Sequence, residues 1–340
     1  MKRLDYKFTT KDGKIISMRS QLHQLELVYP PISNQEAEWL KDDPAVQEQI
    51  SKSNLYFIGQ KPETFFEFPS EEDVQRILIN ERKLRFDIIC GDKRSPCILD
   101  INLMCDFYTV PREVEIELEI GKKVITIWRM DGEEPQVFEW FFTEKLIFDK
   151  SRKKPFILEF DDFSEFFTYH LHYVGISKSQ TSFERLIVKA HDKRLRILTN
   201  EHPLTNGSRV TDEIILFFFK IKSQEIKQYL SEADWDELGE NELDDPIRII
   251  ADAEKAFVSV IKTKYNEVKF TGYPFSIDGL SGSKVNRLSY VIDEHLTFLT
   301  DSVSIISKRD SIFHEEAFSD FLSIDFDEET VELFKVEKNH

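Results

Sequence analysis

The sequence predicts an α+β protein, with a small sheet and its flanking helices set between β-rich N-terminal and C-terminal parts. Strand patterns fill most of residues 1–150, where apolar residues alternate with polar ones. Helix signals follow at residues 183–198 and 246–264, with apolar runs between them. Strand patterns return in residues 271–340. We therefore expect a β-rich part, a mixed part over residues 151–270, and a β-rich C-terminal extension that packs on both.

The composition is that of a globular protein with an acidic surface. The 340 residues are 41% hydrophobic and 32% charged, and the formal net charge is −18. This charge argues against a protein that coats nucleic acid over its whole surface, but it is compatible with a locally basic cleft. No apolar run reaches the roughly 20 residues of a membrane helix, and the first residues lack a signal-peptide core. We expect no membrane partner.

The cysteines predict the compartment. Cys90, Cys97 and Cys105 have the spacing of neither a disulfide framework nor a zinc site. Proteins that neither form disulfides nor bind zinc through their cysteines are typical of a reducing environment. We therefore expect a cytoplasmic protein.

The N-terminal part is predicted to be mostly antiparallel sheet. Lys11-Asp12-Gly13 has the composition of a hairpin turn, two helical patches follow at residues 34–40 and 45–50, and Ser70 should cap a helix that ends near Leu84. A three-stranded meander is predicted over residues 113–120, 124–130 and 137–142. Its first strand alternates apolar residues with glutamates, so its outer face is acidic. We assign this part to scaffolding, sensing or the binding of a protein partner.

The middle part is predicted to begin after the basic segment at residues 150–155. Strands are expected at residues 156–160 and 169–175, and the second ends in Tyr173-Val174-Gly175. Strand geometry would place Tyr169, Leu171 and Tyr173 on one face, and His170 and His172 on the other. A helix capped by Ser182 should cover residues 183–198.

The remaining elements are predicted from equally local signals. Residues 211–221 form an apolar run typical of a central strand, and residues 223–245 form an acidic surface insertion. Asp245 and Pro246 then open a helix that runs to about Lys264. In the C-terminal part, residues 288–292 and 296–299 are predicted to pair as a hairpin.

Several side chains of the middle part suit a catalytic site. At ~100° per residue Glu254 falls at the edge of the apolar stripe of its helix, where a carboxylate is partly desolvated and needs a cation or a donor. A phenol at a strand end, such as Tyr173 beside Gly175, can accept a proton or orient a water molecule. Arg185, with Lys189 one turn further along the helix, can hold a phosphate.

Each of these side chains also has a purely structural interpretation. Glu254 can reach water from the edge of its stripe, and Tyr173 can belong to the core. The segment from Lys178 to Arg196 holds six cations and two anions, which also fits a solvated helix face. His170 and His172 have the i, i+2 spacing of a metal-binding pair on a strand, but the sequence offers no third ligand.

These residues resemble the motifs of the GIY-YIG nuclease superfamily. In that family a strand carries a Tyr-Ile-Gly-like motif, an Arg follows on the next helix, and a catalytic Glu lies on a later helix that ends toward an Asn. The chain offers Tyr173-Val174-Gly175, Arg185, Glu254 and Tyr265-Asn266 in this order, over about residues 156–270. The family's first tyrosine motif is not literally present, and either Phe160 of Leu158-Glu159-Phe160 or Tyr169 is expected in its place.

The resemblance implies a small three-stranded sheet with flanking helices and a metal-dependent endonuclease that acts on DNA or RNA, with DNA favoured. Glu254 would hold one Mg²⁺ or Mn²⁺ ion, and Arg185 would offset charge on the phosphate. Tyr173 would be the base for the attacking water, directly or through a water on the ion. Further substrate contacts are expected from Gly175, Ser177, Lys178, Lys189, His191 and Asn266. On a regular helix His191 would lie about 120° around from Arg185, so its place in the site requires an irregular helix.

Two other functions fit the same sequence. A catalytically inactive nucleic-acid-binding or regulatory protein that retains the fold is favoured by the acidic charge and by the missing first tyrosine. A β-rich interaction protein with a coincidental Tyr-Val-Gly would hold Tyr173, Arg185 and Glu254 apart. The large β-rich additions further suggest a bacterial or phage nuclease used in defence against foreign DNA.

Overall fold

The computed structural model describes residues 18–178, 180–189, 191–228, 244–283, 285–310 and 319–336. Its α-helices are α1 (Asn34–Leu40), α2 (Pro44–Ile50), α3 (Glu71–Glu81), α4 (Ile101–Phe107), α5 (Thr143–Ser151), α6 (Asp192–Asn200), α7 (Val210–Glu213) and α8 (Pro246–Ile261). A 3-10 turn covers Phe163–Phe167 and a π-helical turn covers Glu184–Val188. The predicted hairpin at Lys11-Asp12-Gly13 and residues 229–243 of the predicted insertion lie outside the described residues. No helix within the described ranges is long and apolar enough to cross a membrane.

The strands confirm the mixed α+β class. They are β1 (Met18–Leu27), β2 (Ile32–Ser33), β3 (Leu55–Gln60), β4 (Thr64–Glu67), β5 (Lys83–Cys90), β6 (Lys93–Asp100), β7 (Ile116–Ile120), β8 (Val124–Arg129), β9 (Gln136–Phe142), β10 (Ile157–Glu159), β11 (Thr168–Ile176), β12 (Ile214–Gln228), β13 (Arg287–Ile292), β14 (Leu296–Leu299), β15 (Ser304–Ser307), β16 (Phe321–Asp325) and β17 (Thr330–Phe334).

The largest sheet draws strands from all three predicted parts of the chain. Its order is β15-β14-β11-β3-β12-β1-β13-β16-β17, and β2 pairs with β12. The central strand β12 is 15 residues long, so residues 223–228 are strand and do not belong to the surface insertion that the acidic composition predicted. They stay in the sheet because all of them pair with β1.

Two smaller sheets lie between β3 and β11 in the sequence. One has the order β10-β6-β5-β4, and the other is the meander β7-β8-β9 that the alternating pattern predicted. Helix α3, which lies between β4 and β5 of the first of these sheets, begins after Ser70 as predicted, since the Ser70 hydroxyl accepts the Asp73 N–H at 3.2 Å. It ends at Glu81 because Arg82 adopts a left-handed conformation with φ 51°.

The predicted C-terminal hairpin is wrong. β13 runs parallel to β1 and β14 runs parallel to β11, although only residues 293–295 connect them. Four strands separate β13 from β14 in the sheet, about 24 Å at ~4.8 Å per strand, whereas so short a connection spans at most about 14 Å. The sheet must therefore curl. Helix α8 lies inside the curve, where Phe257 contacts both Phe57 of β3 and Tyr290 of β13.

Candidate functional site

The pairing of β3 with β11 brings two phenols together. The strands are antiparallel, with Tyr56 opposite Gly175 and Tyr173 opposite Ile58. A bulge between Leu171 and Tyr173 inserts one extra residue. A bulge turns the following side chains to the other face of a strand. Tyr173 therefore packs with Tyr56 on the face opposite Tyr169 and Leu171, which corrects the prediction that these three residues share a face.

Gly175 is required by this arrangement. A Cβ atom at Gly175 would lie 2.5 Å from the Tyr173 ring and 2.8 Å from both Cζ and the hydroxyl of Tyr56. Real Cβ atoms do not approach other heavy atoms so closely, so the two rings can rest against this strand only where it has no side chain. The glycine of the Tyr-Val-Gly motif therefore makes room for the pair of phenols.

The second predicted helix is broken, and the break brings His191 into the site. A capping box formed by Thr181 and Glu184 opens the first piece, so Thr181 is the N-cap in place of the predicted Ser182. This piece is a π-helical turn, and a new helix, α6, starts at Asp192 with His191 as its N-cap. The continuous helix predicted over residues 183–198 is thus wrong, and the irregularity that His191 needed is present.

His191, Tyr56 and Tyr173 form a chain of hydrogen bonds with a defined direction. His191 Nδ1 accepts the backbone N–H of Arg194 at 3.1 Å, so the proton of the neutral ring lies on Nε2. Nε2 then donates to the Tyr56 hydroxyl at 2.9 Å, and the Tyr56 hydroxyl is left to donate to Tyr173. Burial, followed by the charges of Arg185 and Arg194, lowers the pKa of His191 to about 4, so the ring is neutral at pH 7.

Asn266 fastens the end of the Glu254 helix to the Tyr173 strand. Its amide oxygen accepts the Val174 N–H at 3.0 Å, and its amide nitrogen donates to the Val174 carbonyl at 2.8 Å. The Tyr265 N–H also donates to the His172 carbonyl at 3.1 Å. Because Val174 lies between Tyr173 and Gly175, these bonds fix α8 relative to the two phenols.

Glu254 and Arg185 are half-buried residues whose charges act on the pKa of Tyr173. Burial raises the pKa of Tyr173, the charge of Glu254 raises it further, and Arg185 and the hydroxyl of Tyr56 lower it. Burial also raises the pKa of Glu254 to about 7, against the charges of Lys255, Arg185 and Lys178. Within the described ranges, neither the Glu254 carboxylate nor the Arg185 guanidinium has a hydrogen-bond or ion-pair partner. Two unpaired opposite charges beside a buried phenol are costly unless a ligand compensates them.

A bridge of three charges borders Glu254. Lys255, which is 7% exposed, pairs with one oxygen of Asp278 at 2.6 Å, and Lys178 pairs with the other oxygen. Lys255 follows Glu254 on α8, Lys178 follows β11, and Asp278 belongs to the loop after α8. The predicted contact residue Lys178 is therefore near Glu254, whereas Lys255 and Asp278 were not predicted.

The other predicted substrate contacts differ in their exposure and in their hydrogen-bond partners. Lys189 is exposed and donates to Gln180 at 2.7 Å. Ser177 is 1% exposed, and its hydroxyl has no partner within the described part of the chain. His172 Nε2 donates to the Gln60 amide oxygen at 3.0 Å, and His170 Nε2 lies 3.5 Å from an Asp301 carboxylate oxygen. Within the described ranges no three His, Cys, Asp or Glu side chains form a group that could hold a metal.

Sequence reasoning also missed Tyr56. The predicted substitutes for the first tyrosine lie elsewhere, since Phe160 packs on Phe163 and Phe166 and the Tyr169 hydroxyl donates to buried Glu144 at 2.7 Å. Tyr56 belongs to the apolar run Leu55-Tyr56-Phe57-Ile58-Gly59, which comes before the two smaller sheets. The signal that identifies Tyr56 is a tyrosine within a strand-like apolar run before residue 150.

Comparisons with known proteins find no related protein. No family model, no curated protein and no solved structure matches this chain. The function is therefore argued from the geometry of Tyr56, Tyr173, Arg185, His191 and Glu254.

Proposed function

We propose that the protein is a divalent-metal-dependent endonuclease that hydrolyses phosphodiester bonds. The observation that carries the proposal is the convergence of an unpaired carboxylate, Glu254, and an unpaired guanidinium, Arg185, on the buried phenol of Tyr173. An acid, a cation and a hydroxyl within mutual electrostatic reach are the parts that phosphodiester hydrolysis requires.

The strands β3, β11 and β12 form, in this proposal, the small sheet of a GIY-YIG-like core. β3 lies between the other two, and Tyr56 supplies the phenol that the family's first motif provides. Helix α8 carries Glu254 and ends at Ile261, and Asn266 in the segment that follows bonds to β11. The two smaller sheets then form an insertion between the two tyrosine strands, available for sensing or for a protein partner.

Glu254 fits a single Mg²⁺ or Mn²⁺ ion. Mg²⁺ commonly binds proteins through one or two carboxylates and keeps several waters, so a lone half-buried glutamate is sufficient. Burial raises the pKa of Glu254 to about 7 even against the charges of Lys255, Arg185 and Lys178, and a divalent ion bound there would favour the charged carboxylate. Bound there, the ion would act as a Lewis acid that polarises the scissile phosphate.

Tyr173 positions the attacking water and takes its proton. Burial and Glu254 raise the pKa of this phenol, whereas Arg185 and the donated hydrogen bond from Tyr56 lower it. Neutralising the charge of Glu254 removes one of the effects that raise this pKa, so occupation of the site favours the phenolate, which is the form of Tyr173 that can take a proton. Arg185 is placed to contact a phosphate oxygen, where a guanidinium stabilises the charge that develops during attack.

His191 is a positioning residue in this scheme. Nδ1 is occupied by the Arg194 N–H, and Nε2 already carries the proton that it donates to Tyr56. With no free lone pair the ring does not take a proton from substrate. It orients the Tyr56 hydroxyl toward Tyr173, and this bond stabilises the charged form of Tyr173.

The test is a nicking assay on supercoiled plasmid with Mg²⁺, with wild type, Glu254→Ala and Glu72→Ala as the control. Glu72 is an exposed carboxylate on α3, away from the site. Wild type and Glu72→Ala should nick the plasmid at the same rate, and chelation with EDTA should stop both. Glu254→Ala should be at least 100-fold slower. Equal nicking by Glu254→Ala and wild type would end the proposal.

Comparing plasmid with a structured RNA in the same assay decides the substrate, for which we propose DNA over RNA. The buried free cysteines Cys90, Cys97 and Cys105 fit a reducing cytoplasm, where a nuclease against foreign DNA would act.

The second candidate function is a nucleic-acid-binding or regulatory protein without catalysis. The net charge of −18 favours it, and binding of DNA without nicking by wild type would select it.

A further inference from the structure

The carboxylate of Asp278 holds two lysines that come from different elements. Its two oxygens are used separately, one by Lys255 at 2.6 Å and the other by Lys178. Lys255 is almost fully buried and its only other bond is to the Ala251 carbonyl, at 3.1 Å, within the described residues. The Lys255 ammonium group is therefore held in place, whereas the side chains of Lys178 and Asp278 are each about half exposed.

Asp278 lies at the tip of a short loop whose base is anchored. Ser281 accepts the Ser276 N–H at 2.8 Å and closes the loop. Behind the tip, the Gly279 carbonyl accepts two bonds from Arg248 at 3.0 and 2.7 Å, and the Leu280 N–H donates to buried Asp252 at 2.9 Å. In front, Ile277 is fully exposed. The backbone bonds hold the base of the loop, so the tip can release its carboxylate without unfolding the loop.

We propose that Lys178 and Lys255 form a phosphate subsite beside Glu254, and that Asp278 occupies it in the free protein until a backbone phosphate of nucleic acid displaces it. This inference rests on the proposed function, because it concerns the substrate of the same site. In this proposal the Asp278 carboxylate is autoinhibitory, because it occupies the position that the phosphate would take.

The stand-in matches a phosphodiester in shape and charge. A carboxylate and a phosphodiester each present two equivalent anionic oxygens, and here each oxygen meets one ammonium group. Both lysines act on Glu254, since their charges lower its pKa while the charge of Asp278 raises it. A phosphate in place of Asp278 would thus lie next to the carboxylate that is proposed to hold the metal ion.

Asp278 remains charged at every working pH. The hydrogen bonds from Lys178 and Lys255 lower its pKa to about 2. Displacement is consequently a competition between two anions and not a protonation event. The competitor must offer more than one carboxylate does, which a chain of phosphates achieves by contacting several cations at once.

The experiment measures binding of a short fluorescein-labelled DNA duplex by anisotropy in EDTA, so that cleavage is not needed. Asp278→Asn removes the charge but retains an oxygen that can accept from Lys255. It should lower the Kd about tenfold and steepen the slope of log K against log salt concentration by about one unit. Asp161→Asn, which removes a 96% exposed carboxylate far from the subsite, is the control for net charge and should stay near wild type. Adding Lys178→Ala to Asp278→Asn should abolish most of the gain.

Three results would overturn the proposal. An unchanged or weaker affinity for Asp278→Asn would show that the carboxylate does not compete with phosphate. An equal gain for Asp161→Asn would show that only net charge matters. Failure of Asp278→Asn to fold would show that the contact is structural, because a displaceable carboxylate cannot be required for the fold. None of these results depends on catalysis, so they are distinguishable from failure of the nicking assay.

Discussion

The Tyr56 hydroxyl accepts a hydrogen bond of 2.9 Å from the imidazole of His191, a residue 135 positions further along the chain. Because His191 Nδ1 accepts a backbone N–H, Nε2 must be the donor in this bond. The Tyr56 hydroxyl therefore donates its own hydrogen bond to Tyr173. The effect of Tyr56 on catalysis should therefore act through Tyr173.

Tyr56→Phe should slow nicking by about 10-fold to 100-fold, because Tyr173 loses the donor that lowers its pKa. It should also destabilise the protein by about 1–3 kcal/mol, since the buried Nε2–H of His191 loses its acceptor. Urea unfolding measures the second effect. The double variant Tyr56→Phe/Tyr173→Phe should be no slower than Tyr173→Phe alone. Fully additive losses in rate would contradict the proposed chain.

Gly175→Ala should reduce nicking strongly and cost about 1–3 kcal/mol, because the new Cβ atom overlaps the rings of Tyr173 and Tyr56. Gly272→Ala is the matched control, since a Cβ atom there has nothing within 4 Å. The control should keep wild-type activity and stability. If Gly175→Ala were as active as the control, the close packing of the two phenols would not matter for function.

Asn266→Ala should destabilise the protein by about 2–4 kcal/mol. The substitution leaves both the N–H and the carbonyl of Val174 without partners in a buried position. Thermal or urea unfolding measures the loss, and Asn206→Ala in an exposed turn should have an effect within about 0.5 kcal/mol. Equal stability of the two variants would mean that Asn266 does not fasten α8 to β11.

Glu254→Gln should stabilise the protein at pH 8 and not at pH 4.5. The folded-state pKa of about 7 lies above the ordinary value of 4.5, so the native protein binds more protons than the unfolded chain between these values. Wild type therefore loses stability as the pH rises through this window, and the glutamine variant does not. We expect a difference of about 1–3 kcal/mol at pH 8. Urea unfolding at both pH values, with Glu72→Gln as the exposed control, measures it, and a difference independent of pH would contradict the assignment.

Those parts of the fold that depend on local signals could be predicted from the sequence. Ser70 and Asp245 cap helices as expected, because an N-cap bond joins residues two or three positions apart. The meander follows from alternation within each strand. Tyr173, Arg185 and Asn266 could be found for the same reason, since each lies near the end of a recognisable element. Glu254 could be found from the helical period of the apolar residues around it.

The remaining parts depend on contacts between distant residues. The bulge before Tyr173 changes the face of one side chain by a single inserted residue, which alternation along one strand does not reveal. The break before His191 follows a sequence with helical periodicity, and the bond to Tyr56 favours it. Lys255 and Asp278 meet only because the loop after α8 returns to the helix. None of these contacts has a signal within a short window.

The pairing of β3 with β11 sets the position of one phenol relative to the other through a single register, Tyr56 opposite Gly175. The two smaller sheets are joined to the main sheet by the chain that leaves β3 and the chain that enters β11. A slip of one residue would turn Tyr56 to the opposite face of the sheet, away from Tyr173. The register of this one pair of strands therefore keeps the two phenols together.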